Sequence, residues 1–544
     1  MPSAHFFTDD LEFDFVIVGA GAAGCVLANR LSENPENSVL LIEAGGSDRH
    51  PLIRIPAGFF YLLTHPKLSW GFKTEPEEGT YNRAINYPRG KVLGGSSSIN
   101  GMWQSWGLPR DYDSWAKAGC DGWSFDDIAQ YMMKSETYEA GSEGRGKTGP
   151  LIISDFVKHH PLTEDFIRAG RELQLPVLKD YNRDTREGVG LVQQTRTGRF
   201  RVSTATAYLR PAMSRRNLTV VCHAHACQIT VRNQVATGVT YRRHGETKTA
   251  RARHEVILSA GAIGSPHLLQ LSGIGKSGDL QALGIPVILD LPGVGYNLQD
   301  HYLARVVYEV SGQLTLNELS RGWRLWREIA RYIFKGEGIL TYSAGNGTGF
   351  FRSHPALPQP DLQFNFTPAS YSSARIGKLE TVPAVSCSVW QMRPESRGRI
   401  SAKSTDPFAA PDISPAYLTA EIDRKAIVEG LRMCRRVMNS SAFAANRKAE
   451  RLPGAAVECY DDWLDFARRT GSTVYHPVGT CRMGAGEDAV VAPDLKVRNI
   501  ERLRVIDASI MPSITSSNTH APTVMIAEKG AAMVLADLRR KRTP

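Results

Sequence analysis

The run Phe13-Asp14-Phe15-Val16-Ile17-Val18 leads directly into Gly19-Ala-Gly21-Ala-Ala-Gly24, and Cys25-Val-Leu-Ala-Asn-Arg-Leu31 follows with apolar residues at helical spacing. Strand, glycine turn and helix in that order predict the first unit of a doubly wound α/β sheet. Gly19 permits the tight turn, Gly21 keeps a Cβ away from an approaching pyrophosphate, and Gly24 lets the helix pack close to the strand. Val39-Leu40-Leu41-Ile42 is a second buried strand that delivers Glu43, at about the twenty-residue spacing of a ribose-binding carboxylate. A carboxylate there accepts from both ribose hydroxyls and repels a 2′-phosphate, which disfavours NADP. Glycine turns alone are common; the turn and the carboxylate together make the signal specific.

A chain of 544 residues exceeds one ordinary domain, so two lobes are expected. With 42% hydrophobic and 22% charged residues and no low-complexity tract, the composition is that of a soluble globular protein. The net charge of +10 is spread along the chain except for Leu538-Arg539-Arg540-Lys541-Arg542, which reads as a solvated tail. No basic stripe with interleaved aromatics supports nucleic-acid binding. The cysteines Cys25, Cys120, Cys222, Cys227, Cys387, Cys434, Cys459 and Cys481 form no CxxC pair, so no metal site and no disulfide framework is indicated. A reducing, cytoplasmic setting is the expectation, with the periphery of an inner membrane as the alternative. Residues 1–12 carry acids and no apolar run, and no stretch has the length of a membrane span.

Two further segments are longer and more specific than any three-glycine pattern. Pro88-Arg89-Gly90-Lys91-Val92-Leu93-Gly94-Gly95-Ser96-Ser97-Ser98-Ile99-Asn100 is a backbone-rich surface suited to phosphate and ring edges. Gly261-Ala-Ile-Gly264-Ser265-Pro266-His-Leu-Leu-Gln-Leu-Ser-Gly273-Ile-Gly275 follows the strand Glu255-Val-Ile-Leu-Ser259-Ala260, with Pro266 expected near the start of a helix. These resemble the two signatures of the glucose-methanol-choline (GMC) oxidoreductase family, and the likeness extends along nearly the whole chain, leaning toward choline dehydrogenase-like and alcohol dehydrogenase-like members. The resemblance implies FAD rather than NAD. It places cofactor contacts at Gly19, Gly21, Ala22, Gly24, Glu43, Ala44, Val92, Gly94, Gly95, Ser96, Asn100, Gly101, Met102, Ala226, Ala260, Gly261, Asp507, Ala508, Ala521, Pro522 and Thr523. Asp507, at the end of Leu503-Arg-Val-Ile506, is implied to reach the flavin side chain. The helix opened by Pro522 would point its positive end at the pyrimidine edge, where reduced flavin carries negative charge. Some relatives attach FAD through a His preceding the Asn of the first signature; Ile99 stands there, so non-covalent FAD is expected.

An alcohol surrenders hydride readily only when a base takes its hydroxyl proton, and histidine suits that task near neutral pH. Most of the histidines, including His159, His160, His223 and His225, sit in polar or strand contexts and read as structural or surface groups. Tyr475-His476-Pro477-Val478-Gly479-Thr480-Cys481-Arg482-Met483-Gly484 resembles the family's C-terminal active-site stretch, which implies His476 as the base. The family's second position, Asn or His, falls on His520 within Ser516-Ser517-Asn518-Thr519-His520-Ala521-Pro522-Thr523. Two adjacent imidazoles would titrate as a pair. The expected reaction is proton abstraction by His476, steadying of the alkoxide by His520, and hydride transfer to flavin N5, giving an aldehyde or ketone.

The fold class expected is α/β: a Rossmann-like FAD lobe from residues 1–155, 206–305 and 470–544, and a substrate lobe on an antiparallel sheet with helices from 156–205 and 306–469. Strands are expected around residues 361–366 and 382–392, with Phe364 and Tyr475 as substrate contacts; Trp103 and Trp106 read equally as entrance residues or packing aromatics. The amphipathic, basic stretch Trp323-Arg-Leu-Trp326-Arg-Glu-Ile329-Ala-Arg-Tyr332-Ile333 is expected to pack on the substrate lobe, with membrane contact as the alternative. Partners are a small alcohol, primary by expectation, and an electron acceptor that is a quinone, a cytochrome or oxygen. A GMC-fold lyase of the hydroxynitrile-lyase type, or a non-catalytic flavin-binding protein, stands as the other functional class.

Overall fold

Two sheets meet across one cavity, and the character of each follows from its strands. The computed structural model describes residues 10–542 except 157, 183–186 and 373–376; the N-terminal stretch read above falls mostly outside the described residues. The first sheet has a parallel centre in the spatial order Leu503–Val505, Glu246–Leu258, Asp10–Val18, Val39–Ile42 and Leu218–Val221. Its registers pair Val16 with Leu40 and with Val256. Such strands are covered on both faces, which is why they read as unbroken apolar runs. The long strand Glu246–Leu258 changes partners along its length: residues 246–251 continue an antiparallel meander with Val235–Arg243 and Ala224–Arg232.

Helix α1, Ala22–Leu31, begins at the glycine turn. A Cβ on Gly24 would lie 1.8 Å from the Gly19 carbonyl oxygen, so only glycine lets helix and strand approach this closely. Helix α2 spans Gly261–Leu271 and contains Pro266 well inside it, not at its start as expected. The proline removes the N–H that would bond the Ala262 carbonyl, and the Thr480 hydroxyl supplies that bond instead, at 2.7 Å. A proline-containing helix interior is therefore completed by a residue from the segment that follows His476.

The second sheet runs Arg447–Leu452, Tyr302–Val310, Ala384–Gln391, Leu362–Thr367, Gly347–Phe351, Gly188–Leu191 and Val177–Leu178, antiparallel except for the last pair. Period-two alternation divides its side chains between two faces. Ala304, Phe364, Phe366, Cys387 and Val389 join the core beneath helix α4, Glu421–Met438. Leu303, Arg305, Asn365, Ser388 and Trp390 face the cavity. Helix α3, Gly322–Lys335, lies outside this sheet, and helix α5, His520–Arg542, closes the first. The basic cluster expected as a tail is the end of α5, with Arg539 and Arg540 exposed.

A small third sheet pairs Leu151–Asp155 with Gln193–Thr197, across the boundary expected at residue 155. Ser472–Thr473 adds to the second sheet by pairing with Tyr302 and Leu303, although it falls in the block expected to belong to the first.

Candidate active site

The cavity, of about 640 Å³, begins at the carboxyl ends of the parallel strands, where Val18, Gly19, Ile42, Glu43 and Ser259 line it. Ligand sites of open α/β sheets lie at these ends. Gly19 has φ +97° and a Cβ there would sit 2.6 Å from the Ser259 carbonyl oxygen. A Cβ on Gly21 would be 3.8 Å from the same oxygen, and one on Gly261 would meet nothing within 4 Å. Backbone is thus bare on the cavity side at both turns, as a bound phosphate chain requires. Gly95 closes against Gly21 from the opposite wall, its Cβ position 2.7 Å from the Gly21 Cα.

Glu43 is buried at the carboxyl end of Val39–Ile42 and lines the cavity. Its Oε2 accepts from the Ala20 N–H at 2.9 Å and its Oε1 from the Gly45 N–H at 2.7 Å. Burial nonetheless pushes its pKa up to about 7, and each oxygen keeps a lone pair for a further donor. Asp507 is also buried; it accepts from the Gly261 N–H at 2.8 Å, the Ser265 hydroxyl at 2.6 Å and the Ser509 N–H at 2.8 Å. It therefore organises the start of α2 as well as facing the cavity.

Of the residues read as cofactor contacts, Gly19, Gly21, Ala22, Glu43, Ala44, Gly95, Ser96, Asn100, Gly101, Met102, Ala226, Ala260, Gly261, Asp507, Ala508 and Thr523 line the cavity, with Ile99 beside Asn100. Gly24, Val92, Gly94, Ala521 and Pro522 do not. Val92 is fully buried in an apolar cluster with Ile53, Leu62, Leu68 and Ile99. Gly94, at φ +86°, makes the turn that presents its neighbours, and its N–H donates to the Ala20 carbonyl. Ala521 and Pro522 are buried in the first turn of α5.

Tyr475 faces the cavity and Phe364 does not. Phe364 is fully buried against Phe351, with ring centroids 4.2 Å apart. Strand alternation sends the next residue, Asn365, to the cavity wall instead. Trp103 lines the wall, whereas the Trp106 indole is buried and donates to Glu136 at 3.0 Å. His225, read as unremarkable, also lines the cavity, its Nε2 2.9 Å from the Pro407 carbonyl oxygen.

His476 reaches the far end of the cavity from a backbone held by Asp300. The Asp300 carboxylate accepts from the His476 N–H at 2.7 Å and the His301 N–H at 2.9 Å. It also accepts from the Tyr87 hydroxyl at 2.8 Å, the Thr473 hydroxyl at 2.6 Å and the Tyr417 hydroxyl. Tyr475, one residue earlier, has φ +69°, an uncommon conformation for a bulky residue. The Arg89 guanidinium anchors it by donating to its carbonyl at 2.6 Å.

The hydrogen bonds define the protonation of the imidazoles. The Met392 carbonyl accepts only, so His301 Nε2, 2.8 Å away, carries a proton. Burial lowers the His301 pKa to about 4, so its Nδ1 is bare. That Nδ1 lies 2.9 Å from His476 Nδ1, which must therefore donate. Burial, the neighbouring His301 and the Arg89 charge hold His476 well below the ordinary histidine range. The consequence is a neutral ring with an unprotonated Nε2, which accepts from the Asn518 amide at 3.1 Å. His520 lines the same cavity with both ring nitrogens buried and without protein partners. Burial and then the Arg201 charge lower it to about 4.

His301, Asp300, Arg89 and Asn518 were not singled out by sequence. Arg89 and Asn518 lie inside the stretches 88–100 and 516–523, where their polar side chains are the available signal. Asp300-His301 follows the second signature by some distance, and no local spacing connects it to position 476. Among the described residues no group of His, Cys, Asp and Glu could hold a metal ion.

A family model described as GMC oxidoreductase matches residues 13–303, and a second of the same description matches residues 394–527. The chain is 39% identical over 532 residues to an alcohol dehydrogenase (acceptor) of Pseudomonas putida, covering 96% of each chain. It is 40% identical over 532 residues to an oxygen-dependent choline dehydrogenase of Sinorhizobium medicae, again covering 96% of each. The crystal structure of pyridoxine 4-oxidase from Mesorbium loti superposes with a TM-score of 0.87 at 31% identity, over 96% of this chain and 98% of that one. An Aspergillus oryzae formate oxidase, whose structure was determined to study FAD modification, gives 0.91 at 28% identity, over 98% and 100%. With the glycine turns, the buried Glu43 carboxylate and the buried histidines arranged around one cavity, this chain belongs to the GMC oxidoreductase family.

Proposed function

We propose that this chain oxidises a small, uncharged primary alcohol to the aldehyde, using non-covalent FAD, and passes the electrons to a separate acceptor. The observation that carries the reading is the unprotonated Nε2 of a neutral His476 in the cavity, whose lone pair is held by one neutral donor, the Asn518 amide, that a substrate hydroxyl can displace. The residues present fit FAD: Gly21 and Gly261 leave backbone open to the phosphates, and Glu43 has lone pairs for the ribose. Asn100, Gly101 and Met102 line the wall toward His476. Bound there, FAD supplies the hydride acceptor.

The chain's own residues handle the proton. Nε2 of His476 takes the hydroxyl proton, and its Nδ1–H remains bonded to His301, so the ring need not turn during the transfer. His520, whose ring nitrogens have no protein partner, and the Asn518 amide, once released from Nε2, would donate to that oxygen and steady its developing negative charge. Met392 and His301 keep the basic tautomer in place.

Substrate charge follows from the wall. Among the described lining residues the carboxylates are Glu43 and Asp507, both engaged by backbone N–H groups. Near Tyr475 the charged groups are Arg89, Arg305, the latter 5.3 Å over the Tyr371 ring, and Asp300, which lies behind the wall with its oxygens taken by five hydrogen-bond donors. A quaternary ammonium would meet cations rather than a carboxylate, so a neutral alcohol suits the wall better than choline. The acceptor is a quinone, a cytochrome or oxygen, with peripheral membrane contact on the acceptor side.

Anaerobic mixing with a panel of alcohols tests the reading: a neutral primary alcohol should bleach the flavin absorbance, and choline should do so poorly. Bleaching by none of them would point to lyase or non-redox flavin binding. His476→Ala should retain FAD and slow bleaching by at least about a hundredfold, with His520→Asn milder; near-normal reduction in His476→Ala would reject the assignment.

A further inference from the structure

Helix α3, Gly322–Lys335, was expected to pack on the substrate lobe, and its contacts do fall there, but its aromatic stripe faces away from them. Trp323, Trp326, Ile333 and Phe334 are 66%, 72%, 53% and 85% exposed. The helix is held instead through Glu328 and Tyr332, which are buried. Glu328 accepts from the Ile339 N–H at 3.1 Å, and the Tyr332 hydroxyl donates to the Arg199 carbonyl at 3.0 Å.

At the helical repeat of about 3.6 residues per turn, positions 323, 326, 330, 333 and 334 fall on one stripe. Positions 324, 327, 331 and 335 form a row beside it, occupied by Arg324, Arg327, Arg331 and Lys335. The acid on the helix, Glu328, is buried beneath Arg331 and Arg327, 3.3 and 3.9 Å away, and Glu337, just beyond the end, is taken up by Lys158 and Arg331, so that no acid on the helix reaches the surface. The outward surface is therefore aromatic along one line and cationic along the next.

We infer that α3 is a docking helix that lies in the interface of an anionic lipid bilayer, with the aromatic stripe at the acyl boundary and the cationic row among the head groups. An aromatic and apolar face flanked by Lys and Arg is the composition that favours this position. Charge complementarity selects lipid over a second copy of the chain, because the same face on another copy offers cations and no exposed acid. Both ends of α3 are tied to the cavity wall. Arg321 donates to the Leu379 and Glu380 carbonyls at 3.1 and 2.8 Å, in the segment that includes the lining residues Tyr371 and Gly377. At the other end, Ile339–Thr341 packs on both α3 and Pro56–Gly58, next to the lining residues Phe59 and Phe60. Docking thus brings the cavity wall to the bilayer, where a lipid-dissolved acceptor would meet it. That last step rests on the alcohol-oxidation reading; lipid binding itself does not.

The test is co-sedimentation of the FAD-loaded full chain with phosphatidylcholine vesicles, with and without phosphatidylglycerol, at low and high salt. Binding should require phosphatidylglycerol and weaken with salt. Trp326→Ser/Phe334→Ser should lower the partition coefficient at least about tenfold, and Arg324→Gln/Arg327→Gln/Lys335→Gln should abolish the preference for anionic vesicles. Both variants should keep the parent's thermal midpoint and its alcohol turnover with a soluble dye, so failure of the redox reading would leave the lipid result intact. Absence of binding to phosphatidylglycerol vesicles, or equal binding by parent and both variants, would overturn the proposal. So would a concentration-dependent dimer that Trp326→Ser/Phe334→Ser disperses, which would assign the face to a second copy.

Discussion

Nδ1 of His301 accepts a proton-bearing Nδ1 of His476 across 2.9 Å, and the far side of His301 is tied to the Met392 carbonyl at 2.8 Å. This pair makes the catalytic candidate a base, because it removes the alternative tautomer in which Nε2 would carry the proton. His301→Ala should retain FAD yet lower alcohol-dependent flavin reduction by about ten- to a hundredfold, less than the loss of the positioned base itself. His301→Gln should recover part of that loss, since an amide oxygen still accepts the Nδ1 proton. Stopped-flow reduction of the three proteins, with KM and kcat separated, distinguishes this positioning role from general loss of structure; equal rates in all three would discard it.

Glu43 places both oxygens against backbone N–H donors. An amide substituted there must turn its NH₂ toward one of them, leaving two donors face to face in a buried site. Glu43→Gln should therefore weaken FAD binding by about 1–3 kcal/mol, the cost of an unsatisfied buried group. Titration of apoprotein with FAD, followed by flavin fluorescence, measures it directly.

Acid should destabilise the protein through its buried histidines. His301 and His520 have folded pKa values lowered to about 4, chiefly by burial, and His476 is held well below the ordinary histidine range by burial, His301 and Arg89. In the unfolded chain each titrates near 6.5. Below that value the unfolded state takes up protons that the folded state refuses, so stability is fully present above about pH 6.5 and is lost as pH falls toward 4. The slope is at most about 1.4 kcal/mol per pH unit for each histidine. Thermal midpoints measured between about pH 7 and about pH 5 should fall, and His301→Gln should flatten the profile; a midpoint independent of pH over that span would contradict the assigned neutral rings.

Phe364 belongs to the core beneath α4 rather than to the substrate wall. Phe364→Ala should cost about 3–5 kcal/mol of stability, as for other buried phenylalanines, without a selective change in KM. Asn365→Ala should show the opposite pattern, altering KM with a smaller loss of stability. Denaturant melts and steady-state kinetics on the two variants decide which neighbour contacts substrate.

Local periodicity was enough for the first strand, the glycine turn, α1 and the strand carrying Glu43, because each is specified by residues adjacent in sequence. The strands Leu362–Thr367 and Ala384–Gln391 were legible for the same reason. Which face of a strand meets the cavity was not, since a period of two names two faces without saying what covers either; Phe364 and Asn365 were exchanged on that ground. The expectation for Pro266 failed because the partner that satisfies Ala262, Thr480, lies more than two hundred residues away.

The sequence alone determined the strand, glycine turn and helix of a dinucleotide fold and singled out His476 as the residue to examine, since motifs of that length carry their own geometry. Only the tertiary structure decided the protonation of that base and the direction of the α3 aromatic stripe. Both depend on groups brought together from distant positions: His301 and Met392 in one case, Arg199 and residues 338–341 in the other. Hydrogen-bond direction and solvent exposure are properties of such encounters and are not encoded in the spacing of any one segment.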